Sequence, residues 1–120
     1  VSLKQILQNI VENVNGGIGA VVMGYDGIPI DEYVCEIASF DVQLLAVEYS
    51  AVLKEIKRTV EVLKIGDMEE ISINTDKLRV IVRTMDEELF VVLAVNSDGN
   101  YGKGRYLLKL NAPALRECLV

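Results

Sequence analysis

With 120 residues, 51% of them hydrophobic and 25% charged, the chain has ordinary usage for a folded domain and the length to bury a core without metal or disulfide support. One domain spanning 1–120 is expected. A formal net charge of −6 with no run of Lys or Arg argues against nucleic acid as a partner, and the absence of histidine removes the commonest general base and metal ligand. No apolar run approaches the ~18 residues of a membrane span and no signal-peptide pattern stands at the start, so a cytoplasmic protein without a membrane span is expected.

Ser2 and Gln5 form a capping-box pattern, and Leu3, Ile6, Leu7, Ile10, Val11 and Val14 recur at helical spacing up to Asn15-Gly16-Gly17. A helix over residues 3–14 follows. Ile18–Met23 and Ile28–Val34 are β-rich runs around Tyr25-Asp26-Gly27, the pattern of a hairpin, and Pro29 places its second strand at or near a sheet edge. Cys35 and Cys118 lie at the ends of elements without metal-ligand spacing and read as small buried hydrophobes.

Asp41 as N-cap and Gly66 as stop bound a helix of about 24 residues, or ~36 Å. At about 100° per residue, Val42, Leu45, Ala46, Tyr49, Val52, Leu53, Ile56, Val60 and Leu63 fall in one stripe, the expected core face. Leu44, Val47, Ala51 and Val62 fall on the far side, with Arg58 on the same line. A domain of this size has a core for one side only, so the surplus points to a partner. Lys54, Lys57, Arg58 and Lys64 are interleaved with Glu48, Glu55 and Glu61, as on a solvated face of mixed charge.

Ile71 and Ile73 alternate with Glu70, Ser72 and Asn74, and Leu78, Val80 and Val82 alternate with Arg79 and Arg83. Each is a strand with one polar face. Leu89–Val95 is apolar throughout, as a central strand covered on both faces must be. After Asn96-Ser97-Asp98-Gly99-Asn100, Tyr101, Leu107, Leu108 and Leu110 mark a last helix, in which Pro113 allows a kink or two short helices. The order is αββαβββα.

No constellation for catalysis, metal or cofactor emerges. The carboxylates of Asp67, Glu69 and Glu70 and of Asp86, Glu87 and Glu88 fall near turns, and the serines have no histidine with which to build a triad. Gly99, Gly102 and Gly104 match neither phosphate-loop pattern, and the segment reads as a flexible loop sooner than as an anion site. Arg58, the one arginine on the surplus helix seam, reads as an interface ion-pair residue before a catalytic finger.

The order αββαβββα, with Gly19-Ala20-Val21-Val22-Met23 leading to Asp26-Gly27-Ile28-Pro29-Ile30, resembles the Roadblock/LC7 family. Ile71-Ser72-Ile73, Phe90–Val95 and Asn100-Tyr101-Gly102-Lys103-Gly104-Arg105 extend the resemblance over nearly the whole chain. It implies an α+β fold: a five-stranded antiparallel sheet with the long second helix on one face and the N- and C-terminal helices on the other. It also implies a homodimer through the long helix and third strand, and a non-enzymatic role. Family members serve as dynein light chains, as scaffolds, and as regulators of small Ras-like GTPases, the gliding-motility GTPase activator being the nearest functional type. The interface residues expected are Leu44, Val47, Ala51, Lys54, Glu55, Arg58 and Val62 of the helix and Glu70, Ser72 and Asn74 of the strand, with Ala51 at the helix crossing. A structural adaptor without effect on GTP turnover is the alternative, and a small-molecule sensor a third.

Overall fold

In the computed structural model, which describes residues 1–38 and 40–119, the elements are α1 (Leu3–Glu12), β1 (Gly17–Gly24), β2 (Pro29–Val34), α2 (Val42–Leu63), β3 (Glu70–Asn74), β4 (Leu78–Thr84), β5 (Leu89–Asn96) and α3 (Tyr101–Glu117). Both halves of the expected capping box form. The Ser2 hydroxyl accepts the Gln5 N–H at 3.1 Å, and the Gln5 side chain accepts the Ser2 N–H at 2.8 Å. The helix ends two residues before Val14, because the Gly17 N–H turns back onto the Val14 carbonyl and Gly16 takes a φ of 84°, a conformation glycine adopts without strain.

The strands form one antiparallel sheet in the order β2-β1-β5-β4-β3. β5 is central and buried from Phe90 to Val95, as its unbroken apolar run requires. Pro29 lies on an edge strand, where it has fewer ladder bonds to disrupt. β3 is the opposite edge.

Alternation along the strands separates two cores. Ala20, Val22, Ile81, Val91, Leu93 and Val95 pack against α1 and α3, while Val21, Met23, Val80, Val82, Phe90 and Val92 pack against α2. The sheet is therefore the middle of three layers, with α2 as the one helix on its face among the described residues.

α3 runs unbroken through Pro113, resolving the alternatives left by the sequence into one 17-residue helix. Pro113 is on the exposed side of the helix, as is Lys109, whose carbonyl loses its helical partner there. Gly104 does not interrupt the helix; it lets it approach the sheet. A Cβ there would lie 3.0 Å from Leu93 Cδ2 and 3.2 Å from Ile81 Cδ1. The cysteines depart from expectation: Cys35 is half-buried at the start of a loop, and Cys118 is exposed because it follows Leu115, the last fully buried residue of α3. Among the described residues, no helix is long and apolar enough to cross a membrane.

Candidate interaction surface

Asp41 caps α2 by accepting the Leu44 N–H at 3.0 Å, and Lys64, at φ 55°, ends it just before Gly66. Val42 packs at Gly19, Ser50 lies over Gly27, and Lys57 reaches Glu87 at 2.9 Å in the turn between β4 and β5. The helix thus runs along β1 and past its end. Its last turn and the residues that follow overhang the sheet, which is why Val62, Leu63 and Ile65 are all exposed.

The buried stripe is Val42, Ala46, Ser50 and Leu53. This corrects the face expected from apolarity: Val52 is 53% exposed, Ile56 36% and Leu63 60%, while polar Ser50 is buried. Apolar residues stand on both flanks of the true contact line, so their average direction misses it. Ser50 is accommodated because its hydroxyl donates to the Val47 carbonyl at 2.7 Å.

Two apolar rows remain on the surface. Leu44, Val47, Ala51 and Val62 are exposed and point away from the sheet, with exposed Lys54 beside them. Arg58 Nη2 lies 2.6 Å from Glu55 Oε1 on this same outer side. The hydrogen bond between them, with their mutual attraction, holds the Glu55 carboxyl below and the Arg58 guanidinium above its ordinary pKa. An exposed pair of this kind orients side chains more than it stabilises the fold.

The second row is Leu45, Val52, Ile56 and Leu63, and its direction follows from a contact on the other flank. Gln43 donates to Glu32 of β2 at 2.8 Å, so the flank about 180° away faces β3. Ile71 and Ile73 of β3 lie on the same side of the sheet, half-buried, and the outer edge of that strand has no partner among the described residues. The apolar flank of α2 and the isoleucines of β3 therefore lie on the same face of the sheet.

The polar residues of β3 belong to the opposite face. Glu70 Oε2 lies 2.7 Å from Arg105 Nη2, and Glu70 Oε1 lies 4.0 Å from Arg83 Nη1. Tyr101 donates its hydroxyl proton to Ser72 Oγ at 2.8 Å, and Ser72 in turn donates to Asn74 at 3.3 Å. Arg83, expected on a wet strand face, is instead a half-buried partner of Glu70. What β3 offers at its edge is backbone N–H and C=O together with two isoleucines, the requirements for strand addition.

No group of three or more His, Cys, Asp or Glu suited to a metal ion assembles among the described residues. Asp86 accepts the Glu88 and Leu89 N–H groups at 2.8 and 2.9 Å, so it shapes a turn. At the start of α3, Asn100 accepts the Lys103 N–H at 3.0 Å, and the helix terminus is capped from within.

Tyr25, which composition places in a hairpin turn, is buried against Phe90 with ring centroids 5.0 Å apart and with Lys57 Nζ 5.7 Å from its own ring centroid. Nothing in periodicity marks a turn residue as core. Its hydroxyl is buried without a hydrogen-bond partner among the described residues, and burial pushes the phenol up to about 12 against a smaller opposing pull from Lys57. The unfolded chain releases this proton near the ordinary value of about 10, so folding stability falls as pH rises from about 10 to 12. Lys57, raised by its hydrogen bonds to Glu61 and Glu87, loses its contribution in the same direction from its ordinary value of 10.5 upward, so it adds to the decline with or without the Tyr25 hydroxyl. Tyr25→Phe is expected to flatten the decline above pH 10 and to melt at or above the wild-type temperature at pH 7, since an unpaired buried hydroxyl costs about 1–3 kcal/mol. Melting curves between about pH 8 and 11.5 test this, and parallel declines in the two proteins would refute it.

No family model and no curated protein matches the sequence. Among solved structures, MglC from Myxococcus xanthus is 37% identical over 94% of this chain and 95% of its own, with a TM-score of 0.70. A Roadblock/LC7 domain from Streptomyces avermitilis is 15% identical with a TM-score of 0.83, covering 99% of this chain and 98% of that one. The gliding protein MglB from Thermus thermophilus is 16% identical with a TM-score of 0.82, covering 95% of this chain and 85% of that one. The last two share the fold; MglC shares sequence along nearly its whole length. With the element order, the sheet and the identity to MglC all in agreement, the chain belongs to the Roadblock/LC7 family.

Proposed function

We propose that this chain is a dimeric, non-enzymatic module that binds a Ras-like small GTPase and modulates its nucleotide hydrolysis. The observation that carries the reading is the double apolar surplus of α2. One row lies on the flank turned toward the edge strand β3, on the same face of the sheet as Ile71 and Ile73, and the other faces away from the sheet. The first fits a second copy of the chain, joined through β3 and the flank holding Val52 and Ile56. The second, Leu44, Val47, Ala51 and Val62 with Lys54, Glu55 and Arg58 around it, becomes a platform when two long helices lie side by side. Glu70, Ser72 and Asn74 contribute to the self-contact through the backbone of their strand. Similarity to MglC and to the gliding protein MglB supports a GTPase system as the context.

Such a module contributes no reacting group. It acts by holding the switch segments of the GTPase in the geometry that orients water and phosphate. Phosphate release by Ras-like GTPases from a genome encoding this chain is the direct test. At least tenfold faster release with the wild-type protein, and none of that gain with Ala51→Arg, is the expected outcome. Binding without a change in release would favour the structural adaptor, and absence of binding to every such GTPase would overturn the reading.

A further inference from the structure

We infer that the outer face of α3, with the groove between it and the β3–β4 edge, is a second docking surface, fitted to an acidic amphipathic segment of a partner protein. It lies on the face of the sheet opposite α2 and goes beyond the proposed GTPase platform. The groove measures about 350 Å³ and is lined by the cations Arg83, Arg105 and Lys109, which outnumber the carboxylates Glu69 and Glu70, together with Tyr106.

The chain as a whole has a formal net charge of −6, yet α3 carries Lys103, Arg105, Lys109 and Arg116 against the single carboxylate Glu117. Arg105, Lys109 and Arg116, at i, i+4 and i+11, share one stripe of the helix. Tyr106 and Leu110 lie beside that stripe and are 60% and 58% exposed, because the core contacts of α3 come from Gly104, Leu108, Ala112 and Leu115. Two large apolar side chains next to a row of cations form a surface with both a greasy and a charged half.

Charge complementarity selects the occupant. Glu70 already shows how a carboxylate sits here, at 2.7 Å from Arg105, whose side chain remains half exposed on its other side. Lys109 makes no ion pair among the described residues. A segment with carboxylates one helical turn apart meets Arg105 and Lys109 together, and an apolar residue on its adjacent face covers Tyr106 and Leu110. The concave wall formed by the sheet edge suits a peptide segment better than a lipid surface, which favours a convex apolar helix face.

The test is selection of a display library of random peptides, each about 16 residues or four helical turns long, on the full chain, with counter-selection on Tyr106→Ala/Lys109→Glu. Enriched peptides are expected to combine spaced Asp or Glu with apolar residues and to bind wild type at least tenfold more tightly than the double variant. Their affinity should fall with added salt, and Ala51→Arg should bind them as wild type does, which separates this inference from the GTPase reading. Lys109→Glu alone, at an exposed position, gives the same readout should the double variant melt early. Enrichment of neutral or basic sequences, equal binding to both proteins, or no enrichment at all overturns the inference. So does cosedimentation of the chain with phosphatidylserine vesicles in the absence of any peptide binding.

Discussion

A Val52→Arg variant is expected to sediment as one 13.3 kDa chain, while wild type and Ala51→Arg sediment at twice that mass. Val52 lies on the flank of α2 that faces β3, whereas Ala51 points away from the sheet. In a two-fold dimer each substitution occurs twice, so two guanidinium groups would be brought into a contact lined by Leu45, Ile56, Ile71 and Ile73. Burying such charges without partners costs several kcal/mol, on the order of a hundredfold or more in dissociation constant. Both positions are exposed in the single chain, and arginine is nearly as good a helix former as alanine, so the fold itself should be little affected. A Val52→Arg protein of dimer mass would show that the self-contact lies elsewhere. Loss of the dimer in Ala51→Arg would place Ala51 at the helix crossing point, as expected from the sequence, and give the outward row to the second copy.

The second large effect concerns the core. Phe90→Ala is expected to lower stability by about 3–5 kcal/mol, a large share of the roughly 5–15 kcal/mol typical of a domain, and to lower Tm by about 10–20 °C. Phe90 is fully buried under α2 on the central strand and supports the Tyr25 ring, so its removal leaves a cavity and an unsupported aromatic neighbour. Phe90→Leu keeps most of the volume and should lose less than half as much. Urea unfolding measures both. A loss under about 1 kcal/mol for Phe90→Ala would mean that the α2-side core is not held at this point.

Local patterns carry most of the architecture. Ser2 with Gln5, Asp41 and Asn100 mark helix starts because each side chain satisfies N–H groups a few residues away, an interaction complete within one turn. Pro29 marks an edge and Leu89–Val95 a centre for equally local reasons: a missing donor, and apolarity on both faces. The long helix is harder to read. Its surplus of apolar residues is visible in the sequence, but the direction of packing is not, and periodicity places Val52, Ile56 and Leu63 in a core they only flank. Periodicity reports the average direction of apolar side chains, and that average misleads when a helix is apolar on several sides.

Tyr25 and Glu70 show the same boundary. A tyrosine in an Asp-Gly turn carries no signal of burial, and only the overhang of α2, which brings Lys57 over a ring already packed on Phe90 of β5, puts its hydroxyl out of reach of water. Glu70 reads as part of a turn-side acidic cluster until α3 places Arg105 beside it, 35 residues away in the chain. Element order, caps, edges and an excess of apolar surface are thus determined by the sequence itself, since each rests on contacts between near neighbours. Which row meets the sheet, which lies beside the free strand and which faces outward is decided by the tertiary structure. Those distinctions depend on where α2 and α3 cross the sheet, a geometry set by packing between distant segments.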